Sequence, residues 1–556
     1  MSKKLNMDSK SLNKYLYVEK TPTWLVRGIF GIGILTWLYV IYGYSRFIQL
    51  NPIFFIVIFP VVGFLVLYHL ISYLTYLFYK QFDLKAHARL IRQHELSTSH
   101  HAIPSVDIFL PICGESNRVL IRTFVAVSRL NYPKKKVYVL DDKGMEDHEL
   151  LARSLGFTYL SRGDKGYMKK AGNLKHGFDR SNGDFIAVFD ADFAPHPDFI
   201  KELLPYMDDL SVGIVQSPQY FPLDKEVHRR SPLEYGAAYV QEDFYRMIQV
   251  ARDKLGAPIC CGSNAIYRRK ALDAIGGTVQ MDHSEDMYTG FALAAKKWRV
   301  KYVPIILALG LCPDNLHAYF HQQHRWCSGN LSLMLDKTFW KSNLSFMQKL
   351  CFISGFMYYL SHLFTIILSF QIFFLLFFYK SYISLWDALP FIPCLIFTFI
   401  VIPLFRTTRQ RFGGYLARNA YMYSYAYTSI TAFMKKSVGW QPTNIKVENV
   451  SSAYLQQTRI VALYLLLYVG LIGFSIGRGV FRIFDINYYS LLFWVFYTVI
   501  ATVVILSQLF LVLDEAKQRQ LCESKGQSLS LFFWRLKMAG GYIIILLLAF
   551  ITPMLH

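Results

Sequence analysis

Two acidic clusters in this chain fall where a folded sheet would expose them. Asp141-Asp142 follows the apolar run Val137–Leu140, and Asp190-Ala191-Asp192 follows Phe185–Phe189. Carboxylates at i and i+2 with a small residue between them make a hard-oxygen site. Such a site suits Mg2+ or Mn2+ held partly through a substrate's phosphates. Each cluster alone also fits a turn or a helix cap; together they favour a metal-diphosphate site. Further on, His283-Ser284-Glu285-Asp286 opens a predicted helix after the turn at Gly276-Gly277, and Gln322-Gln323-His324-Arg325-Trp326 follows. By itself Asp286 reads as a helix cap. Trp326 reads by itself as an aromatic at a membrane interface. Two other constellations compete. His317, His321, His324 and Cys327 have a helical spacing that mimics a zinc site, but no HExxH accompanies them, and packing or phosphate contact is the simpler role for His324. Gly28, Gly31 and Gly33 lie within an apolar stretch with no strand before them, which reads as close helix packing and not as a dinucleotide loop.

The elements needed to position the acidic clusters are legible as alternating β-like and helix-like runs. Strand Val106–Leu110 is followed by helix Arg118–Leu130, strand Val137–Leu140, helix Asp147–Leu155, strand Thr158–Leu160, helix Ala171–Arg180 and strand Phe185–Phe189. This βαβ pattern predicts a parallel sheet whose ligands gather at the carboxyl ends of its strands, where both clusters fall.

Composition sets these elements in a larger frame. Of 556 residues, 53% are hydrophobic and 17% charged, which lies on the membrane side of globular composition. A membrane-spanning helix needs roughly 20 apolar residues, and candidates occur near 24–44, 52–79, 350–379, 385–405, 458–478, 489–513 and 538–555. The expected architecture is therefore a membrane protein with an α-helical bundle of about seven spans. Residues 1–83 form an N-terminal transmembrane pair, 84–340 an inserted cytosolic α/β domain, and 341–556 a C-terminal transmembrane region with a cytosolic loop at 406–456. With the N-terminus inside, the basic residues Arg406, Arg409, Arg411, Lys435 and Lys436 fall on the cytosolic side, which satisfies the positive-inside rule. The first apolar stretch is too long and bulky for a cleaved signal and is expected to remain as an anchor. The net charge of +21 flanks apolar segments and so points to the lipid bilayer, with no nucleic-acid module in view. Eight cysteines without CxxC or scaffold spacing suit a reducing cytosol.

The ordered set Asp141-Asp142, Asp190-Ala191-Asp192, Ser284-Glu285-Asp286 and Gln322-x-x-Arg325-Trp326 resembles the D, DxD, SED-or-TED and QxxRW signature of processive family-2 glycosyltransferases, the group of cellulose, curdlan and hyaluronan synthases. Lys170-Ala171-Gly172-Asn173 and Cys261-Gly262-Ser263-Asn264 resemble that family's KAGN and CGS elements, also in order. The resemblance covers roughly residues 100–340 closely and the flanking spans by architecture alone. It implies a GT-A-like fold for 84–340, and it implies a UDP-sugar donor, a nascent polysaccharide acceptor and Mg2+ or Mn2+ as cofactor. By the same resemblance Asp141 lies near the uridine, Lys170 near the diphosphate, and Asp190 and Asp192 on the metal and nucleotide. Asp286 is then the general base, Gln322 and Arg325 touch the pyrophosphate, and Trp326 stacks on the acceptor sugar. With no covalent nucleophile in the set, a single in-line displacement would invert the anomeric carbon.

The chain also departs from that pattern. Where many members have a PTYNE-like turn against the uracil, it reads Pro111-Ile112-Cys113-Gly114-Glu115, leaving Glu115 as the turn's donor-side residue. Phe193 stands where bacterial cellulose synthases often carry His after DxD. Trp440-Gln441-Pro442-Thr443-Asn444-Ile445-Lys446 is placed like the family's gating loop but is spaced differently. The expectation is an inverting β-glycosyl transferase of the plasma or inner membrane, multi-pass, using UDP-glucose to extend and export a β-glucan. Synthases using UDP-GlcNAc, with or without UDP-GlcA, and a non-processive lipid glycosyltransferase share these motifs. The oligomeric state is left open.

Overall fold

The computed structural model describes residues 13–18, 20–50, 52–98, 103–222, 232–313, 316–369, 389–405 and 412–434, together with Leu467. The predicted spans 458–478, 489–513 and 538–555 and the Trp440–Lys446 loop lie outside the described residues, apart from Leu467. Three described helices are long and apolar enough to cross a membrane, over Thr23–Arg46, Ile58–Leu77 and Phe346–Leu368. They belong to α1 (Thr23–Leu50), α2 (Pro52–Leu77) and, later in the chain, Phe346–Ser369. In the region of the fourth predicted span, the apolar helix Leu389–Val401 is shorter. Of the three spaced glycines in α1, only Gly33 is closely packed: a Cβ there would lie 2.5 Å from the Phe397 ring and 2.9 Å from Tyr73, whereas Gly28 and Gly31 face open space.

After helix α3 (Leu84–Thr98) the chain builds a seven-stranded sheet of order β3-β2-β1-β4-β7-β6-β8. Its first half is β1 (Val106–Ile112), β2 (Lys135–Asp141), β3 (Thr158–Ser161) and β4 (Phe185–Val188), all parallel. They alternate with α4 (Asn117–Ser128), α5 (Glu146–Ser154) and α6 (Lys169–Phe178), close to the predicted bounds. Both faces of β1, β4 and the C-terminal part of β2 are buried, as expected of a parallel sheet covered by helices, whereas β3 at the edge is only partly covered. Val106, Ile108 and Leu110 of β1 join Val137 and Val139 of β2 in one core, while Phe109, Tyr138 and Leu140 join Ile186 and Val188 of β4 in the other.

The second half departs from the expected all-parallel sheet. β7 (Ala265–Arg268) runs antiparallel to both β4 and β6 (Val212–Gln216), and β8 (Arg299–Tyr302) is parallel to β6. A small antiparallel pair, β5 (Ala194–Pro195) and β9 (Ala308–Leu309), ties the chain after the second acidic cluster to the chain after β8.

The helices α7 (Pro232–Asp243), α8 (Glu285–Ala295), α9 (Leu316–Leu335), α10 (Phe346–Ser369) and α11 (Phe412–Phe433) complete the described chain used below. α9 packs on α11: His324 Nδ1 lies 2.7 Å from Thr428 Oγ1, and the Tyr425 hydroxyl donates to Gln323 Oε1. The sheet domain meets α10 through the buried Arg252, which donates to Cys351 O at 2.5 Å and Ser354 Oγ at 3.0 Å. The segment before α1 also docks on the sheet domain. Lys14 pairs with Glu202 at 2.5 Å, and Tyr17, 2% exposed, sets its ring edge-on to Tyr220 at 5.4 Å.

Candidate active site

A cavity of about 230 Å3 opens at the carboxyl ends of β1 and β4, where an open α/β sheet collects ligands. Glu115, Lys170, Asp190, Asp192, Asp286, Gln322, Arg325 and Trp326 all line it, brought together from across more than two hundred residues of sequence. Asp141 does not. It is fully buried at the end of β2 and accepts from the Lys143 and Met145 N–H groups at 2.9 Å each, from the Tyr159 hydroxyl at 2.9 Å and from His148 at 3.1 Å. Burial alone would raise this carboxyl, but those hydrogen bonds outweigh it and hold it at about 2. Asp141 therefore ties the turn after β2. Its neighbour Asp142 reaches the cavity wall, gripped by Arg162 Nε at 2.8 Å and the Gly166 N–H at 3.1 Å.

Lys170 sits in the first turn of α6 and joins two motifs. Its ammonium lies 2.5 Å from Asp190 and 3.5 Å from Glu285, and donates to Gly262 O at 3.1 Å. Burial opposes that charge, yet Asp190, Glu285 and Asp286 hold its pKa well above the ordinary lysine value. The Asp190 N–H donates to the Ser263 hydroxyl oxygen at 2.9 Å, fixing the start of the acidic turn. On the far side of that turn the Thr123 hydroxyl donates to Ala191 O at 2.7 Å.

Two carboxyls are left protonatable near neutrality. Burial first, then repulsion from Asp190 and Glu115, pushes Asp192 up to about 7. Burial and repulsion from Glu285 push Asp286 up to about 7, against the pull of Lys170. Gly262, with φ +70°, is what lets Asp286 approach: a Cβ there would lie 2.6 Å from the Asp286 Cβ. Arg325 completes the ring of charge within the field of Glu285, Asp190, Asp286 and Asp192.

Backbone strain gathers in the same loops. Of the five non-glycine residues with positive φ among those described, Met168, Lys169, Asn264 and Ser284 all flank cavity motifs. Such conformations persist where the surroundings over-determine them, as at active sites.

Seven acidic side chains, Glu115, Asp142, Asp190, Asp192, Asp282, Glu285 and Asp286, thus line the cavity against three basic ones, Lys169, Lys170 and Arg325. Such an excess calls for a further positive charge. The competing histidine set makes no such centre: no cluster of three metal-ligating side chains occurs among the described residues. Burial instead keeps His321 and His324 neutral, at about 3 and about 4. Sequence reasoning assigned no role to Arg162 or to Glu285. Arg162 carries no motif signal, whereas Glu285 stood beside the proposed base and its pairing with Lys170 required the fold. Phe193, in the place of an expected histidine, packs edge-on to Phe221 at 5.6 Å and makes that wall of the cavity apolar.

Residues 107–276 match the family described as Glycosyl transferase family 2. The chain is 32% identical over 256 residues to the UDP-forming cellulose synthase 1 catalytic subunit of Komagataeibacter xylinus, covering 45% of this chain and 34% of that one. It is 28% identical over 266 residues to the UDP-forming cellulose synthase catalytic subunit of Xanthomonas axonopodis pv. citri, covering 46% and 36%. The chain thus spans about a third of the length of these curated relatives. Among solved structures, the mannosyltransferase PcManGT from Pyrobaculum calidifontis, in complex with GDP-Man and Mn2+, matches 63% of this chain and 97% of its own, with 16% identity and a TM-score of 0.45.

Proposed function

We propose that the family-2 glycosyltransferase domain of this chain transfers glucose from UDP-glucose to the end of a growing β-glucan, with inversion, and that the polymer passes into the adjoining membrane helices. The observation that carries this reading is one cavity uniting a buried, raised carboxyl, Asp286, with the Asp190-Ala191-Asp192 turn, Lys170 and Arg325. The relatives' description as UDP-forming cellulose synthase subunits supports UDP as the leaving nucleotide and glucose as the sugar.

Donor binding needs the diphosphate's charge balanced. Lys170 and Arg325 supply two positive charges at the cavity, and Gln322 offers an amide donor. Mg2+ or Mn2+ fits the remaining donor set: Asp190 and Asp192 are hard-oxygen ligands, and with no third protein ligand clustered beside them among the described residues, the shell stays open to phosphate oxygens and water. When bound, the cation would neutralise charge developing on the departing diphosphate. Glu115 and the turn tied by Asp141 form the uridine side. Asp286 accepts the proton of the attacking hydroxyl, and a carboxyl poised near 7 is well matched to that task at neutral pH. Trp326 offers an aromatic face to the acceptor ring, keeping the new chain end in register. The three apolar helices support a multi-pass location in the plasma or inner membrane, with the catalytic domain in the cytosol and the bilayer as partner.

The test is UDP release by the purified full chain offered UDP-glucose, UDP-GlcNAc or UDP-GlcA, singly and in pairs, with Mg2+ or Mn2+. UDP release from UDP-glucose alone is expected, together with a loss of at least about a hundredfold in a folded Asp286→Asn variant. Turnover only with GlcNAc-containing donors, or an unaffected Asp286→Asn variant, overturns the reading.

A further inference from the structure

Lys170 and Asp286 both meet Gly262, whose carbonyl accepts from the Lys170 ammonium and whose missing side chain admits the Asp286 Cβ. What places Gly262 is the chain before it. Residues 257–261 form neither helix nor strand, so their buried backbone groups need partners from elsewhere. Three buried glutamines supply them. Gln249 holds Ile259 at both ends: its Oε1 accepts from the Ile259 N–H at 2.9 Å, and its Nε2 donates to the Ile259 carbonyl at 2.7 Å. Gln216, the last residue of β6, donates to the same carbonyl at 2.6 Å and accepts from the Cys261 N–H at 3.0 Å. Gln219 donates to the Cys261 carbonyl at 3.2 Å. A side-chain amide carries both donors and an acceptor, so these residues stand in for the neighbouring strand that the segment lacks.

Gln216 is fixed by the sheet, whereas Gln249 is fixed by a helix. α7 runs on through a π-helical turn, Phe244–Ile248, into a final stretch, Gln249–Lys254. Such turns inside helices recur at functional sites, and this one ends at Gln249. Three residues on, Arg252 anchors the same stretch to the apolar helix α10 through Cys351 O and Ser354 Oγ. One helical turn therefore grips the loop before Gly262 with Gln249 and the long apolar helix with Arg252. If Gln249 is lost, the Ile259 carbonyl keeps Gln216, but the Ile259 N–H loses the amide that holds it.

We infer that Gln249 is a positioning residue for the transfer: by holding the Ile259 backbone at both ends it places Gly262, and through Gly262 it sets Asp286 against Lys170. This rests on the proposed reading of Asp286 as the base. Donor binding depends less on it, because Lys170 keeps Asp190 and Glu285 as partners.

The experiment uses the full chain in lipid nanodiscs and compares wild type, Gln249→Met and Gln249→Glu. Calorimetry with UDP and Mn2+ gives the affinity and the number of intact sites; UDP release from UDP-glucose then gives KM and kcat per intact site. Methionine matches glutamine in length without its hydrogen bonds, whereas glutamate keeps an acceptor for the Ile259 N–H. Gln249→Met is expected to bind UDP, and to show a KM, within about threefold of wild type while kcat per site falls about tenfold, as a shift of about half an ångström at the base would cause. Gln249→Glu regains most of that loss. Wild-type kcat per site in Gln249→Met overturns the inference, as does a loss carried entirely by fewer intact sites, a parallel fall in UDP affinity, or an equal defect in Gln249→Glu. A wild-type protein that binds UDP but releases none from UDP-glucose overturns instead the functional reading on which it rests.

Discussion

Replacing Gly329 with Ala perturbs the junction between α8, which carries the proposed base Asp286, and α9, which carries Arg325 and Trp326, without touching a proposed catalytic group. A Cβ on Gly329 would fall closer than 2.5 Å to both Oγ and Cβ of Ser284, whereas ordinary contact begins at 3.4 Å. Rotating the Ser284 side chain relieves the first overlap but not the second, so the start of α8 and the body of α9 must part by about 1 Å. Overpacking of this kind costs about 1–3 kcal/mol, partly offset by the better helix propensity of Ala, about 1 kcal/mol, so the protein should still fold. Catalysis is less forgiving. Asp286 lies on one side of the junction and Arg325 and Trp326 on the other, and a misplacement of about 1 Å costs on the order of a hundredfold in rate, or about 2.7 kcal/mol of barrier. UDP release by Gly329→Ala should therefore fall about a hundredfold while UDP affinity stays within a few fold. Ser284→Gly removes both clashing atoms and suits the left-handed backbone at φ +57°, so the double variant should regain most of the activity. Near wild-type turnover in Gly329→Ala, or no recovery in the double variant, would refute the close docking of these helices as the determinant of the site.

Three other outcomes follow from the same geometry. In the proposed mechanism Asp286 works ionised, and its carboxyl sits at about 7, so kcat should rise with pH through about 7; Glu285→Gln removes a repelling charge and should move that limb about one unit to lower pH, read from pH-rate profiles. Asp192 is likewise protonated below about 7, so Mn2+ binding followed by electron paramagnetic resonance should weaken as pH falls through that value and be lost in Asp192→Ala. Tyr17, 2% exposed against Tyr220, should on replacement by Ala cost about 3 kcal/mol or more and lower the melting temperature of the whole chain, a result not expected of a loosely attached segment.

Much of the sheet and nearly all of the cavity could be read from residue order, and the exceptions have physical causes. The strand predicted at Val137–Leu140 forms as Lys135–Asp141 because its apolar stretch is buried on both faces. Its last residue pairs with Ile112 of β1, which turns Asp141 inward and leaves Asp142 to the cavity. Adjacent residues of a strand point to opposite sides, so an Asp-Asp pair cannot by itself say which member faces the ligand. The antiparallel half was less legible. β7 and β8 are four residues each and carry charged side chains, and the reversal of β7 is set by its pairing to β4 and β6 rather than by any local signal. The spaced glycines of α1 illustrate a related limit: only Gly33 meets a neighbouring ring, because which face of a helix is packed depends on where the other helices lie. The protonation of Asp286 near 7 is a property of burial and of Glu285, and appears only once the motifs are assembled.

The central claim is tested most directly by incubating the purified chain in lipid with UDP-glucose as sole donor and a divalent cation, then sizing the product and digesting it with linkage-specific β-glucanases. A long polymer susceptible to a β-glucanase is the predicted result. A short lipid-linked glycoside, a polymer requiring UDP-GlcNAc, or no product from any nucleotide-sugar would contradict the account.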